Sequence, residues 1–262
     1  MKLYQVDSFT DSPFGGNPAA VCLMETTREE SWMLKVAREM NLSETAFCLP
    51  LYDGYSLRWF TPVTEVDLCG HATLATAHVL WETGLLETNQ NARFQTKSGL
   101  LTARLDGSWV LMDFPADPPE ACPAPHELLE ALGVGSASPT FRGRFDYLVE
   151  IEDEATLTNL KPDYLKLRRV NTRGVIVTAP SDRRDCDFVS RFFAPAVGVD
   201  EDPVTGSAHC TLCPYWSQKL GKEDMLARQV SPRGGVVRTE MKGARVIVGG
   251  QAVTVFAGDL LA

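Results

Sequence analysis

Hydrophobic and polar positions fall into two successive series of similar elements. "LYQVDSF" near the start alternates with period two and predicts a strand. "REESWMLKVAREM" places Trp32, Met33, Val36, Ala37 and Met40 at helical spacing, which predicts an amphipathic helix. "ETAFCL" and "YSLRWFT" predict strands. "GHATLATAHVLWETG" is apolar nearly all round and predicts an interior helix, with Gly84 as its C-cap. "RFQTKSGLLTARLDGSWVLMDF" predicts three strands turning at Ser98-Gly99 and Asp106-Gly107. The second series follows the same plan. It has the strand "FDYLVEI", a helix near "TLTNLKPDYLKLR", the strands "GVIVTA" and "CDFVSRFF", the helix "GSAHCTLCPYWSQKLG", and strands through "QVSPRGGVVRTEMKGARVIVG". A last strand, "AVTVFAG", has no counterpart and is expected to pair back onto the first series.

The two series also share letters. "RWFTPVTEVDLCGHA" from Arg58 and "RFFAPAVGVDEDPVTGSAH" from Arg191 both open Arg, aromatic, Phe, small residue, Pro, and both reach Val-Asp at one spacing. Gly70 and Gly206, Gly99 and Gly235, and Gly107 and Gly243 are each 136 positions apart. A period this long means two copies of one domain, because solenoid repeats run ~20–50 residues. The Pro-rich stretch "PADPPEACPAP" predicts a linker, so the domains are expected to span 1–117 and 118–251, with 252–262 returning to the first. The predicted fold class is α+β. Each copy is a curled, mostly antiparallel sheet wrapped around a central helix, and the two copies are related by a pseudo-twofold axis across a cleft.

Composition narrows the partners. The chain has 262 residues, 44% hydrophobic and 23% charged, as in soluble proteins with a substantial core. A net charge of −9 argues against nucleic acid and anionic membranes, but leaves room for a small anionic substrate held by local donors. No run approaches the ~20 apolar residues of a membrane span. The opening "MKLYQVDSFTDSPFGGNP" lacks the apolar core of a leader, which predicts a cytoplasmic protein. Seven scattered cysteines fit thiols in a reducing compartment.

The helix starts carry the candidate chemistry. A helix N-terminus offers unpaired N–H groups and about half a positive charge, a receptor for a carboxylate or an enolate oxygen. Gly70-His71 and Gly206-Ser207 begin the two interior helices. His71 stands where the second copy has Ser207, and the insert "EDP" adds Asp202. Glu44 in "NLSETAF" falls where a helix has ended and a strand begins. It is either a solvated turn residue or a general base at a strand mouth. "HCTLC" places His209, Cys210 and Cys213 in one helix, where the sister copy has core positions, so buried thiols are expected rather than a metal or redox site. Cys22, Cys48, Cys122 and Cys186 show no partner pattern, His78 is expected to be a core histidine, and His126 to be exposed. "SPRGGV" lacks the Lys-Ser/Thr pair and following helix of a phosphate loop.

"VDSFTDSPFGGNPAAVCL", "NLSETAF", "DLCGHATLATAHVL" and "EDPVTGSAH" together resemble the PhzF family of phenazine-biosynthesis-like isomerases, within the diaminopimelate-epimerase-like fold. The resemblance covers nearly the whole chain. It implies the duplicated barrel-around-a-helix fold, a homodimer, and no cofactor or metal. It assigns Glu44 as the acid/base that moves a proton between carbons, with His71 and Asp202 assisting. It also places Gly70, Thr205, Gly206 and Ser207, following Pro203, at the substrate. The segment with Asn17 borders that site in the family, which makes Asn17 a substrate-binding candidate. Fold relatives that racemise amino acids use one cysteine per domain. Cys69 looks like the first, but the second position holds Thr205, which argues against two-thiol racemisation. The leading expectation is a cofactor-independent isomerase of a small carboxylate-bearing substrate. The alternatives are a non-catalytic small-molecule binder and a cysteine racemase.

Overall fold

The alternating stretch at the start forms β1 (Lys2–Ser8), and it turns back as β2 (Asn17–Leu23). The chain continues through α1 (Glu30–Met40), β3 (Glu44–Pro50), β4 (Tyr55–Phe60), β5 (Glu65–Val66), α2 (Gly70–Glu82), β6 (Ala92–Thr96), β7 (Gly99–Asp106) and β8 (Trp109–Pro115). The second series is β9 (Glu120–Ala121), α3 (His126–Leu132), β10 (Thr140–Arg142), β11 (Asp146–Glu150), α4 (Glu154–Asn159), α5 (Tyr164–Leu167), β12 (Gly174–Pro180), β13 (Phe188–Ala194), β14 (Val199–Asp202), α6 (Gly206–Leu220), β15 (Asp224–Gln229), β16 (Gly235–Lys242) and β17 (Arg245–Gly250). β18 (Ala252–Asp259) closes the chain. This is a computed structural model, and it describes residues 1–261. Two units result: Met1–Asp113 joined by the stretch from Gly249 onward, and Phe114–Val248.

The fold is α+β, and each unit has a mixed sheet with the same pairing plan. In the first, β1 pairs antiparallel with β2 and with β18, β2 is parallel to β3, β3 is antiparallel to β4, and β4 is antiparallel to β5 and parallel to β6. β6, β7 and β8 then meander antiparallel. In the second, β10 and β11 pair antiparallel, β11 is parallel to β12, β12 is antiparallel to β13, and β13 is antiparallel to β14 and parallel to β15. Parallel neighbours need a crossover connection. α1 and α2 supply those of the first unit, while α4 with α5, and α6, supply those of the second.

α2 packs against β1, β2, β3 and β18, and every residue from His71 to Trp81 except His78 is buried. That follows from its composition: a helix with no polar stripe must be covered on all sides. α1 instead buries only Met33, Val36 and Ala37, and lays them on a cluster with Ala20, Phe47 and Phe60. The second unit has its own core around Leu128, Leu132, Val149, Leu157, Val177 and Phe193.

The shared Arg boxes prove to be structural. Arg58 on β4 forks onto Glu65 of β5, Nε to Oε1 at 2.6 Å and Nη2 to Oε2 at 2.7 Å. Arg191 on β13 does the same with Glu201 of β14, at 2.7 and 2.8 Å. The repeated motif writes one bidentate ion pair twice.

Two expectations need correction. The stretch read as a linker contains β9, which pairs with β10. The helix expected near 156–168 is two short ones. Pro162 cannot donate a helical N–H and disfavours helical geometry at Lys161, so Asp153 caps α4 and Asp163 separately caps α5. Asn17-Pro18 begins β2. Pro is tolerated at the first positions of a strand. Among the described residues no helix is long and apolar enough to cross a membrane.

Candidate functional site

In the first unit, the local sequence gathers four side chains around one imidazole. α1 ends at Asn41, which adopts the left-handed conformation (φ 50°) and turns the chain sharply. Two residues later Ser43 and Glu44 enter β3. His71 lies in the first turn of α2, its ring buried. Glu44 Oε2 is 3.2 Å from His71 Nε2, and Ser43 Oγ is 3.3 Å from the same nitrogen. On the other ring edge, Nδ1 is 3.3 Å from Asn17 Nδ2 and 3.6 Å from Cys69 Sγ. Ser8 Oγ donates to the His71 carbonyl at 2.9 Å, so the end of β1 ties down the helix start.

Burial pushes the Glu44 carboxyl above its ordinary value, and hydrogen bonds from Ser43 and Cys69 pull the other way. Such a carboxylate is a stronger base than one in water. No side chain caps the α2 N-terminus and no acid lies in its first turn, so its backbone dipole is not neutralised there. Glu44, Cys69 and His71 are also the one group of three metal-ligating side chains among the described residues, their donor atoms within 4.8 Å of one another. Sγ and Oε2 approach different ring nitrogens, so a metal bound through one nitrogen would require the cluster to rearrange.

In the second unit, Thr205 is the N-cap residue of α6. Its hydroxyl donates to Asp202 Oδ2 at 2.5 Å, and its N–H donates to Gln229 Oε1 at 2.9 Å. Gln229 Nε2 donates to the Asp202 carbonyl at 2.6 Å. Ser207 Oγ accepts from Arg173 Nη2 at 3.2 Å, and Arg173 is itself clamped by Asp146, Nε to Oδ1 at 2.9 Å. The "DPVTGS" turn is thus a braced loop leading into a second helix start with no acid in its first turn.

The structure brings Asn17, Glu44, Gly70 and His71 together in one unit, and Asp202, Thr205, Gly206 and Ser207 together in the other. Sequence reasoning missed Ser8, Ser43, Arg173 and Gln229. Ser43 had a signal, because it directly precedes Glu44 in "SETAF"; the other three had none.

The remaining histidines and cysteines behave as packing groups. His78 is half-buried, 3.7 Å from Glu82, and His126 is exposed. Burial pushes the Cys210 and Cys213 thiols up to about 12 and about 11, so both are protonated at neutral pH. His209 is fully buried beside Phe188. Its Nδ1 donates to the Thr205 carbonyl at 2.9 Å, and burial lowers its pKa to about 4. The unfolded chain therefore binds this proton more readily than the folded one. Stability is full above about pH 6.5 and is lost as pH falls through about 4, by on the order of 3 kcal/mol. His209→Asn keeps an N–H near the Thr205 carbonyl and removes the titration. Its urea-unfolding free energy is expected to fall less between pH 7 and pH 4 than that of the native protein.

A family model described as phenazine biosynthesis-like protein matches residues 6–258. The chain is 54% identical to an uncharacterized isomerase of Halalkalibacterium halodurans, covering 99% of this chain and 98% of that one. It is 49% identical to an uncharacterized isomerase of Pseudomonas aeruginosa over the same shares. It also matches the crystal structure of a PhzF-family protein of Enterococcus faecalis with a TM-score of 0.95 and 42% identity, covering 100% of this chain and 99% of that one. With the family model spanning nearly its whole length and relatives this similar, the chain belongs to the phenazine biosynthesis-like PhzF family and is an enzyme of the isomerase class.

Proposed function

We propose that this isomerase moves a proton between two carbons of a small, carboxylate-bearing substrate, without a cofactor, using Glu44 as the shuttling acid and base. The observation that carries the reading is Glu44 itself: a carboxylate raised by burial, set against His71 at a helix start with no capping side chain. Glu44 takes a proton from a carbon activated by a neighbouring carboxyl, carbonyl or conjugated system. The resulting anion gains from the N–H groups at Gly70 and His71, where preorganised donors are worth several kcal/mol. Glu44 then returns the proton at another carbon. The ring of His71 fixes the Glu44 carboxylate, and Asn17 fixes the ring. Asp202, Thr205, Gly206 and Ser207 are proposed to hold the substrate's polar groups. A cytoplasmic homodimer belongs to the same proposal.

The test is proton NMR in deuterium oxide with a panel of small unsaturated carboxylic acids. The expected result is an enzyme-dependent migration of the double bond, with deuterium entering at the carbon that gains the proton. Acids that bind without isomerising or exchanging would reduce the site to a receptor.

Asp202→Asn keeps an acceptor for the Thr205 hydroxyl and removes the charge. A hydrogen bond to a charged group is worth about 1.5–3 kcal/mol, so kcat/KM is expected to fall roughly 10- to 100-fold, mostly through KM. An unchanged KM would remove Asp202 from substrate binding.

A further inference from the structure

We propose that Arg173 is the specificity-determining residue for the substrate's carboxylate, which it binds through the outer edge of its guanidinium together with the Ser207 hydroxyl. The assignment rests on the reading of Ser207 as a residue that holds a polar group of the substrate, and gives that group its chemistry.

Strand register identifies what Arg173 stands in place of. Thr45 of β3 pairs with Phe60, and Val175 of β12 pairs with Phe193. Phe60 and Phe193 are the third residues of the two boxes that Arg58 and Arg191 open. Thr45 thus corresponds to Val175, Glu44 to Gly174 and Ser43 to Arg173. His71 and Ser207 also correspond, each directly following the glycine that begins an interior helix. The same two positions touch in both units. Ser43 Oγ lies 3.3 Å from His71 Nε2, and Arg173 Nη2 donates to Ser207 Oγ at 3.2 Å. Gly174 cannot carry a base, because a Cβ there would lie 2.3 Å from Phe192 Cζ. Where the first copy places an acid/base, the second places a cation beside a glycine.

The N–H groups of Arg173 can be accounted for one by one. A guanidinium has five. Nε donates to Asp146 Oδ1 at 2.9 Å, Nη2 to Asp146 Oδ2, and the second Nη2 proton goes to Ser207. Among the described residues nothing accepts from Nη1. The fork onto Asp146 occupies one edge of the plane, and Ser207 marks the other, where Nη1 still has a proton to give. Ser207 Oγ accepts from Arg173, so its own proton is left to donate as well. Adjacent donors in one plane match the two oxygens of a carboxylate.

This edge is oriented before a ligand arrives. Asp146 is buried, while the Arg173 side chain is 37% exposed, so the fork is anchored inside and the outer edge reaches solvent. The rings of Phe145 and Phe192 lie 5.2 and 5.7 Å from Arg173 Cζ and hold the plane further. Little side-chain freedom is then lost on binding. Burial opposes the Arg173 charge, and Asp146, Asp117 and Asp202 support it. With three carboxylates around one guanidinium, the surroundings are net negative. The edge therefore takes one carboxylate through its hydrogen bonds and disfavours a second, which makes the expected ligand a monocarboxylate.

The experiment titrates the full chain at pH 7 with sodium crotonate, a small unsaturated monocarboxylate, and follows binding by saturation-transfer NMR. Crotonamide, of similar shape without the anion, and fumarate, which carries a second carboxylate, are titrated in parallel. Native protein is expected to bind crotonate more tightly than either. Arg173→Lys keeps a cation for Asp146 and loses the planar outer edge, so it is expected to fold normally and to bind crotonate about 10- to 100-fold more weakly, with crotonamide unchanged. Arg173→Met should weaken crotonate at least as much. No saturable crotonate binding to the native protein, unchanged crotonate affinity in Arg173→Lys, or an equal loss for crotonate and crotonamide would overturn the proposal, the last by showing that Arg173 serves only the shape of the loop. Tighter binding of fumarate than of crotonate would overturn the selection for a single carboxylate. Binding is read without turnover, so the two readings fail separately. A protein that binds crotonate through Arg173 but moves no proton removes Glu44 as the base and leaves Arg173 in place. One that isomerises its substrate while Arg173→Lys binds crotonate normally removes Arg173 alone.

Discussion

Glu44→Gln is expected to lower kcat by about 10²–10⁴-fold, the usual cost of losing a general base, and at the same time to raise the midpoint of thermal unfolding near neutral pH. The two effects have one cause. Burial holds the Glu44 pKa above its unfolded value, so the folded protein binds this proton more tightly than the unfolded chain does. That contribution to stability is fully present below the unfolded carboxylate pKa, about 4.3, and is lost as pH rises through the raised folded value. At neutral pH the molecule therefore carries the cost of a buried charge that its chemistry requires. Glutamine has nearly the same shape and bears no charge. The stabilisation should appear near pH 7 and disappear below about pH 4. The acid limb of kcat/KM in the native enzyme should fall on a pKa above the ordinary carboxylate value, because the base must be ionised to act. Calorimetry at two pH values and steady-state rates on the substrate found by exchange check all three. Near-normal turnover in the variant would remove Glu44 as the base. Lost turnover together with a lower melting point would mean that Glu44 serves the fold rather than the reaction.

The parts of this site that were legible in the sequence are those where one residue declares its own geometry. Gly70 and Gly206 announced the starts of two helices too apolar to lie at a surface, and α2 is indeed buried nearly all round. Glu44 was visible as a carboxylate at a helix-to-strand junction, but its raised pKa depends on burial that spacing alone does not reveal. Ser8, Gln229 and Arg173 were not legible. Their partners are His71, Thr205 and Ser207, which lie 63, 24 and 34 positions away at the two helix starts. A polar residue in a strand looks the same whether it faces water or braces a loop. The short strand β9 was hidden by prolines, which mark irregular backbone but do not forbid two residues from pairing between them. The glycine offsets and shared boxes run alongside the common pairing plan of the two units, because turn geometry constrains glycine more tightly than packing constrains apolar residues. The arginines that open the boxes hold glutamates between neighbouring strands.

Arg191→Met is accordingly expected to be among the most destabilising single changes in the chain, at about 3–5 kcal/mol, the cost of removing one partner of a buried ion pair. Arg191 and Glu201 have side chains 8% and 12% exposed. The guanidinium also donates from Nη1 to the carbonyls of Leu157 and Leu160, at 3.1 and 2.8 Å, where α4 ends. Methionine fills similar volume beside Phe193 but leaves a buried carboxylate and two carbonyls without these donors. The sister residue offers an internal control. Arg58 is 28% exposed, and its Glu65 has a second cation, Lys97. Arg58→Met should therefore cost less, because Lys97 still neutralises Glu65. The double variant Arg191→Met/Glu201→Leu should recover part of the loss, since the carboxylate that Arg191→Met strands is then gone, but not all of it, because the two carbonyls of α4 still lack their donor. Urea-unfolding midpoints of the four proteins, with unchanged slopes, measure each step. A cost for Arg191→Met no larger than that for Arg58→Met would show that the fork onto Glu201 contributes little. The carbonyl bonds would then have no measurable role in joining α4 to the sheet.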